Sequence, residues 1–254
     1  MRLLDPESTA LELLVRTGQS GPPVDLDRIA ALWPGLKISV ENLEREGYLV
    51  DLGAQGAEIL IRAADPLPRR RYTLAHELGH WVLQCSGLMS YDHSTAIPHT
   101  AIERWCDHFA AALLMPQAWV IQGLRRAKLS GLLRAVLSAP PIYQVSHQAF
   151  RLRISELTPV SLFQLRQKED TVSIELRYET RSVPNTLVSK TLQRVMALIS
   201  ETGESGRYLH PETQFLSIRM LLPRNTEEHN WLVCILPRTS PKGTSRGSHA
   251  LSGG

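Results

Sequence analysis

Residues 71–80 read Arg71-Tyr72-Thr73-Leu74-Ala75-His76-Glu77-Leu78-Gly79-His80. Leu74, Leu78, Trp81, Val82 and Cys85 recur at helical spacing, so a helix is predicted here. One turn takes about 3.6 residues, which places His76 and His80 on one face. Two neutral imidazoles one turn apart form a bidentate clamp for a divalent metal. Glu77 lies about 100° around the axis, beside such a metal rather than on it. From there a carboxylate can take a proton from an activated water, the arrangement of a zinc metallopeptidase. In a shuffled chain of this composition, with its 9 histidines, the spacing would arise about 2% of the time. Leu74, Leu78 and Val82 mark a buried face nearly opposite the two histidines. A second covered face bearing two histidines needs polar partners.

Two histidines need a third protein ligand if one position is to stay open for water. The next predicted helix carries Ile102, Trp105, Cys106, Phe109, Ala110 and Leu113 on one stripe, with Glu103 and Asp107 flanking it one turn apart. The small residues Ala110, Ala111 and Ala112 let that helix come close to its neighbour. Glu103 is expected to be the third ligand. Asp107 is expected to orient a ligand imidazole through its other ring nitrogen. On spacing alone the two acids can exchange roles. Zinc is the default ion for this donor set, and manganese or iron suits the same ligands. Tyr91, His93 and His99 are candidate donors to the carbonyl oxygen of a substrate. The strand-like run Ala57–Arg62 either offers its edge to an extended substrate or lies inside a sheet.

These residues closely resemble the ImmA/IrrE family of metallopeptidases. The likeness is carried by Arg71 to His80 and by Glu103-Arg-Trp-Cys-Asp-His-Phe-Ala-Ala-Ala-Leu-Leu-Met-Pro116, and it is strong over about residues 57–120. The family usually has Asn where this chain has Asp107. Residues 139–166 resemble the helix-turn-helix-like segment of the longer radiation-response members, and residues 170–237 stand where those relatives have a GAF-like module. The resemblance implies an intracellular, site-specific protease that cleaves Xre-type helix-turn-helix repressors. Such cleavage derepresses genes of a mobile element or a DNA-damage response.

The rest of the chain fits an α+β protein of 254 residues, with a zincin-like peptidase domain over 1–138, a helical connector over 139–168, a small α+β module over 169–237 and a Ser-, Gly- and Pro-rich tail over 238–254 expected to be disordered. Asp5-Pro6 and Ser146 are helix starts, and Pro140-Pro141 is expected to break a helix. Strands are predicted at Leu36–Val40, Gly47–Leu52, Val172–Leu176, Phe215–Leu222 and Trp231–Leu236, and a helix at Leu187–Ile199. No stretch reaches the roughly 18 apolar residues of a membrane span. Three scattered cysteines exclude a disulfide framework, and a cytoplasmic location is expected.

Residues 121–168 carry eight Arg or Lys against Glu156 alone. A weak contact with DNA through this segment is one reading, and a solvated helix face is the other. The alternative to a protease is therefore a DNA-binding or ligand-sensing regulator whose metal site is structural or inactive. Glu77 argues against it, because a structural site needs no general base.

Overall fold

The computed structural model describes residues 4–88, 98–169, 171–222 and 229–238. The fold is α+β, with seven α-helices and two sheets among the described residues. The chain divides into two compact units, one ending at Thr158 and the other starting at Pro159.

The first unit opens with α1 (Pro6–Arg16), capped by Asp5, whose carboxylate accepts from the Ser8 N–H at 2.8 Å, with Pro6 at the first helical position. A short α2 (Leu26–Ala30) is capped by Asp25 in the same way. Three strands follow: β1 (Leu36–Glu41), β2 (Gly47–Asp51) and β3 (Ala57–Arg62). Their order is β1-β3-β2, with β3 parallel to β1 and antiparallel to β2. Ala57, Ile59 and Ile61 are buried, so β3 presents one apolar face to the core. Because β3 is the middle strand, its hydrogen-bonding edges are both occupied, and the reading in which Ala57–Arg62 offers an edge to substrate does not hold. Among the described residues, β1 and β2 are the outer strands of this sheet.

Helix α3 (Leu67–Cys85) carries the two histidines and packs on β2 and β3. Contact with β2 is close at Gly47, where an added Cβ would meet Thr73 Cγ2 at 2.6 Å. Helix α4 (His99–Leu114) lies against α3 on one side and α1 on another. Trp105 and Phe109 stack along it, with ring centroids 5.2 Å apart. The α3 segment around His76 is thus held between a sheet and a helix, as two covered faces require.

Helix α5 (Gln117–Tyr143) runs through Pro140 and Pro141, where the sequence predicts a break. Proline removes a donor and crowds the carbonyl four residues earlier. Here only the final turn follows, and Val145 and Gln144 return hydrogen bonds to the Pro140 and Pro141 carbonyls from a left-handed Gln144 at φ 55°. The position 138/139, expected as a boundary, lies inside this helix. Helix α6 (His147–Leu157) starts at the Ser146 cap, which accepts from Ala149 N–H at 3.0 Å. The helical segment ends there, because residues 161–168 form a strand of the second unit.

The second unit contains β4 (Ser161–Lys168), β5 (Thr171–Tyr178), α7 (Asn185–Thr202), β6 (Gly206–His210), β7 (Phe215–Leu221) and β8 (His229–Pro237). The strands form one antiparallel sheet in the order β5-β4-β8-β7-β6. Val188, Leu192, Val195 and Ile199 give α7 its apolar stripe, which packs with Phe163, Leu165, Trp231, Val233 and Ile235. The 239–254 tail lies outside the described residues.

The basic residues of 121–168 are not all exposed. Arg125, Arg126 and Arg134 are exposed on α5. Arg153 is buried in the first unit, where its Nε donates to the Met115 carbonyl at 3.1 Å and its Nη2 pairs with Glu7 at 2.6 Å. Arg166 belongs to the other unit and pairs with Glu175.

Candidate metal centre

Helices α3 and α4 meet where the side chains are small. A Cβ on Gly79 would lie 3.1 Å from Phe109 Cδ1 and 3.3 Å from both Cα and Cβ of Cys106. Only glycine permits that separation without a neighbour giving way. The close crossing carries Glu103, which lies one turn before Cys106 and Asp107, into reach of His76 and His80.

His76 Nε2 and His80 Nε2 stand 3.1 Å apart. His76 Nε2 is 3.3 Å from Glu103 Oε2, and His80 Nε2 is 3.3 Å from Glu103 Oε1. One donor atom from each of the three residues falls within 4.8 Å of the others, so together they could hold a metal ion. Ligands about 2.0–2.1 Å from a tetrahedral zinc are separated by roughly 3.3 Å. The triangle of residues is closed by contacts of about that length, each histidine facing a different Glu103 oxygen, and its donor set of two imidazoles and a carboxylate suits a divalent ion.

Asp107 sits on the other side of His76, with Oδ1 3.0 Å from Nδ1. A proton on Nδ1 directed at that oxygen leaves Nε2 of the neutral ring unprotonated and turned to the triangle. The same Oδ1 also accepts from the Tyr72 hydroxyl at 3.1 Å. Burial, followed by the proximity of His76, holds His80 well below the ordinary histidine value, at about 4, although Glu103 opposes the shift. His80 is therefore a neutral imidazole at pH 7, as a ligand must be.

Glu77 is buried on α3, turned away from the solvent. Burial raises its carboxyl above the ordinary glutamate value. The Glu103 charge adds to the rise, while His76 and a hydrogen bond from the Leu49 backbone N–H oppose it. The register of β2 explains why that N–H is available. Arg62 N–H bonds to the Glu46 carbonyl, and Leu52 N–H bonds to the Gly56 carbonyl. The even-numbered residues of β2 therefore exchange hydrogen bonds with β3, and Leu49 N–H points away from β3.

His99 is the first residue of α4 rather than part of a loop, and its Nε2 lies 3.4 Å from Glu103 Oε1 with the side chain 78% exposed. Tyr91 and His93 lie outside the described residues. Two participants were not read from the sequence. Tyr72 carries a signal, since residues 72, 76 and 80 repeat at one-turn spacing along a single face. Leu49 carries none, because its contribution is a backbone group.

A helix bearing two imidazoles one turn apart, a carboxylate from the next helix and a buried acid beside them make up a candidate metal centre of the kind a metallopeptidase domain carries. Residues 35–155, just under half of the chain, match the family Peptidase_M78, described as the IrrE N-terminal-like domain, in keeping with the resemblance of this segment to the ImmA/IrrE family of metallopeptidases. The chain is 34% identical over 106 residues to the radiation response metalloprotease IrrE of Deinococcus radiodurans, a match that covers 40% of this chain and 32% of that protein. The chain thus spans about a third of the length of that relative. Among solved structures, a transcriptional regulator of Mycobacterium tuberculosis has a similar fold, with a TM-score of 0.52, 14% identity, and coverage of 92% of this chain and 76% of that one. No helix of the described residues is long and apolar enough to cross a membrane.

Proposed function

We propose that this chain is a zinc-dependent endopeptidase with His76, His80 and Glu103 as metal ligands and Glu77 as general base. The observation that carries the reading is the convergence of His76, His80 and Glu103, with the two Nε2 atoms 3.1 Å apart and each 3.3 Å from a different Glu103 oxygen, beside a buried carboxylate. Once bound, a divalent ion supplies the Lewis acidity that polarises water and carbonyl. Every other step falls to the protein. Glu77 accepts the proton of the attacking water and returns it to the leaving amine. The Leu49 N–H holds the Glu77 carboxylate in one orientation. Asp107 fixes the ring of His76 through Nδ1. His99, exposed at the start of α4 and next to Glu103, is placed to donate to the carbonyl oxygen of a bound peptide. An extended substrate would lie alongside β2, an outer strand of the sheet among the described residues.

The substrate we infer is a protein, specifically an Xre-type helix-turn-helix repressor in the cytoplasm, cleaved to release stress-response or mobile-element genes. Support comes from the family, from the relative named a radiation response metalloprotease and from the neighbour described as a transcriptional regulator. The regulator reading without catalysis draws less support. Its basic segment is divided among two units and a buried ion pair, and it leaves the buried Glu77 without a task.

The test is incubation of the full chain with candidate repressors, with zinc and after chelation. Zinc-dependent scission that disappears in Glu77→Gln, while metal is retained, supports the reading. Scission by Glu77→Gln at the wild-type rate removes Glu77 as the base.

A further inference from the structure

Two donors converge on one oxygen beside the metal centre. His76 Nδ1 and the Tyr72 hydroxyl lie 3.0 and 3.1 Å from Asp107 Oδ1. An ionised carboxylate can only accept, so both contacts are donations. Asp107 is exposed on α4, and an exposed carboxylate has several rotamers available. Tyr72 is rooted one turn before His76 on α3, so its hydroxyl is a fixed point on the helix that carries the ligand. Burial, with the Asp107 charge adding to it, raises the phenol above its ordinary value, and the hydroxyl keeps its proton.

We propose that Tyr72 is a positioning residue: its hydroxyl pins Asp107 so that Oδ1 receives the His76 Nδ1–H, which sets the His76 tautomer and ring angle. This rests on the reading of His76 as a metal ligand. It also implies that an amide can stand in for the acid at 107. Both donors use a single oxygen, and an amide oxygen has two lone pairs, so Asp107→Asn retains both bonds.

The experiment measures zinc affinity of the full chain by competition with a chelating dye, together with the visible spectrum of the cobalt-substituted protein. Phenylalanine at 72 keeps the ring and removes only the hydroxyl, and Asp107 is exposed, so its variants leave the core intact. Asp107→Ala is expected to weaken zinc binding roughly 10- to 100-fold. Tyr72→Phe is expected to weaken it about 3- to 10-fold and to shift the cobalt bands, being one bond further out. Asp107→Asn stays within about 3-fold of wild type. In the Asp107→Ala background Tyr72→Phe adds nothing, since its partner is gone. An unchanged affinity and spectrum for Tyr72→Phe, or an undiminished loss in the Asp107→Ala background, overturns the proposal alone. A His80→Ala variant that binds zinc as tightly as wild type overturns the metal reading, and the proposal with it.

Discussion

A side chain on Gly79 would press within 3.3 Å of the Cys106 backbone, so the separation of α3 and α4 is set by the absence of that side chain. The distances from Glu103 to both histidines depend on this crossing, because His76 and His80 come from one helix and Glu103 from the other. Gly79→Val should therefore harm both stability and metal retention. Overpacking of this kind costs about 1–3 kcal/mol. Urea unfolding should show a lower midpoint, and the purified variant should hold less zinc than wild type at equal folded fraction.

His99 offers a different kind of test, because it touches Glu103 but is no member of the donor triangle. His99→Ala should leave metal content near wild type. If the imidazole supports the carbonyl oxygen, kcat should fall on the order of 10²-fold while KM changes little. Steady-state kinetics on a cleaved peptide would separate this from a binding role, in which KM alone would rise.

Arg153 is one of the residues that make 121–168 look like a basic patch in the sequence. Its burial, its bond to the Met115 carbonyl and its pairing with Glu7 give it a structural task instead. Arg153→Met should destabilise the first unit by about 1–3 kcal/mol, because it leaves that carbonyl unpaired. Chemical denaturation would measure the loss. Any duplex DNA affinity of the folded chain should be the same with and without the substitution.

The second unit contributes a pH dependence of stability. His210 is buried, its Nε2 bonded to Ser217 Oγ at 2.8 Å and its ring against Tyr208. Burial lowers its pKa from 6.5. Arg219 and Arg194 push the same way, and Glu212 opposes them. The folded state thus favours the neutral ring. Below pH 6.5 the unfolded chain binds the extra proton, so stability declines as pH falls through that value toward the lower folded pKa. The urea midpoint should be lower at pH 5.5 than at pH 7.5, and the difference should shrink in His210→Gln.

Much of the candidate metal centre was legible from residue types and spacing. His76, His80, Glu103 and Asp107 are read from helical periodicity, and the close crossing of α3 and α4 turns that spacing into contact. The caps at Asp5 and Ser146 are local side-chain to backbone bonds and were equally readable. Features that depend on tertiary pairing were not. Strand β4 carries Leu162, Phe163 and Leu165, a run whose apolar residues do not strictly alternate because most of them are buried, so it reads as a continuation of helix. Strand β6 is five residues long, with Arg207 and His210 among them, too short and polar to announce itself. The central position of β3 and the outward N–H of Leu49 follow from sheet order and register, which no single segment encodes. The proline pair inside α5 was misleading because only the last turn follows it, and the Gln144 and Val145 N–H groups close that turn onto the two proline carbonyls.

The central claim is that His76, His80 and Glu103 bind one divalent ion together. Elemental analysis of the purified full chain after zinc loading and desalting measures it directly. One zinc per chain is expected for wild type and for Glu77→Gln, with near-total loss in His80→Ala and Glu103→Ala. Equal zinc in wild type, His80→Ala and Glu103→Ala would contradict the account.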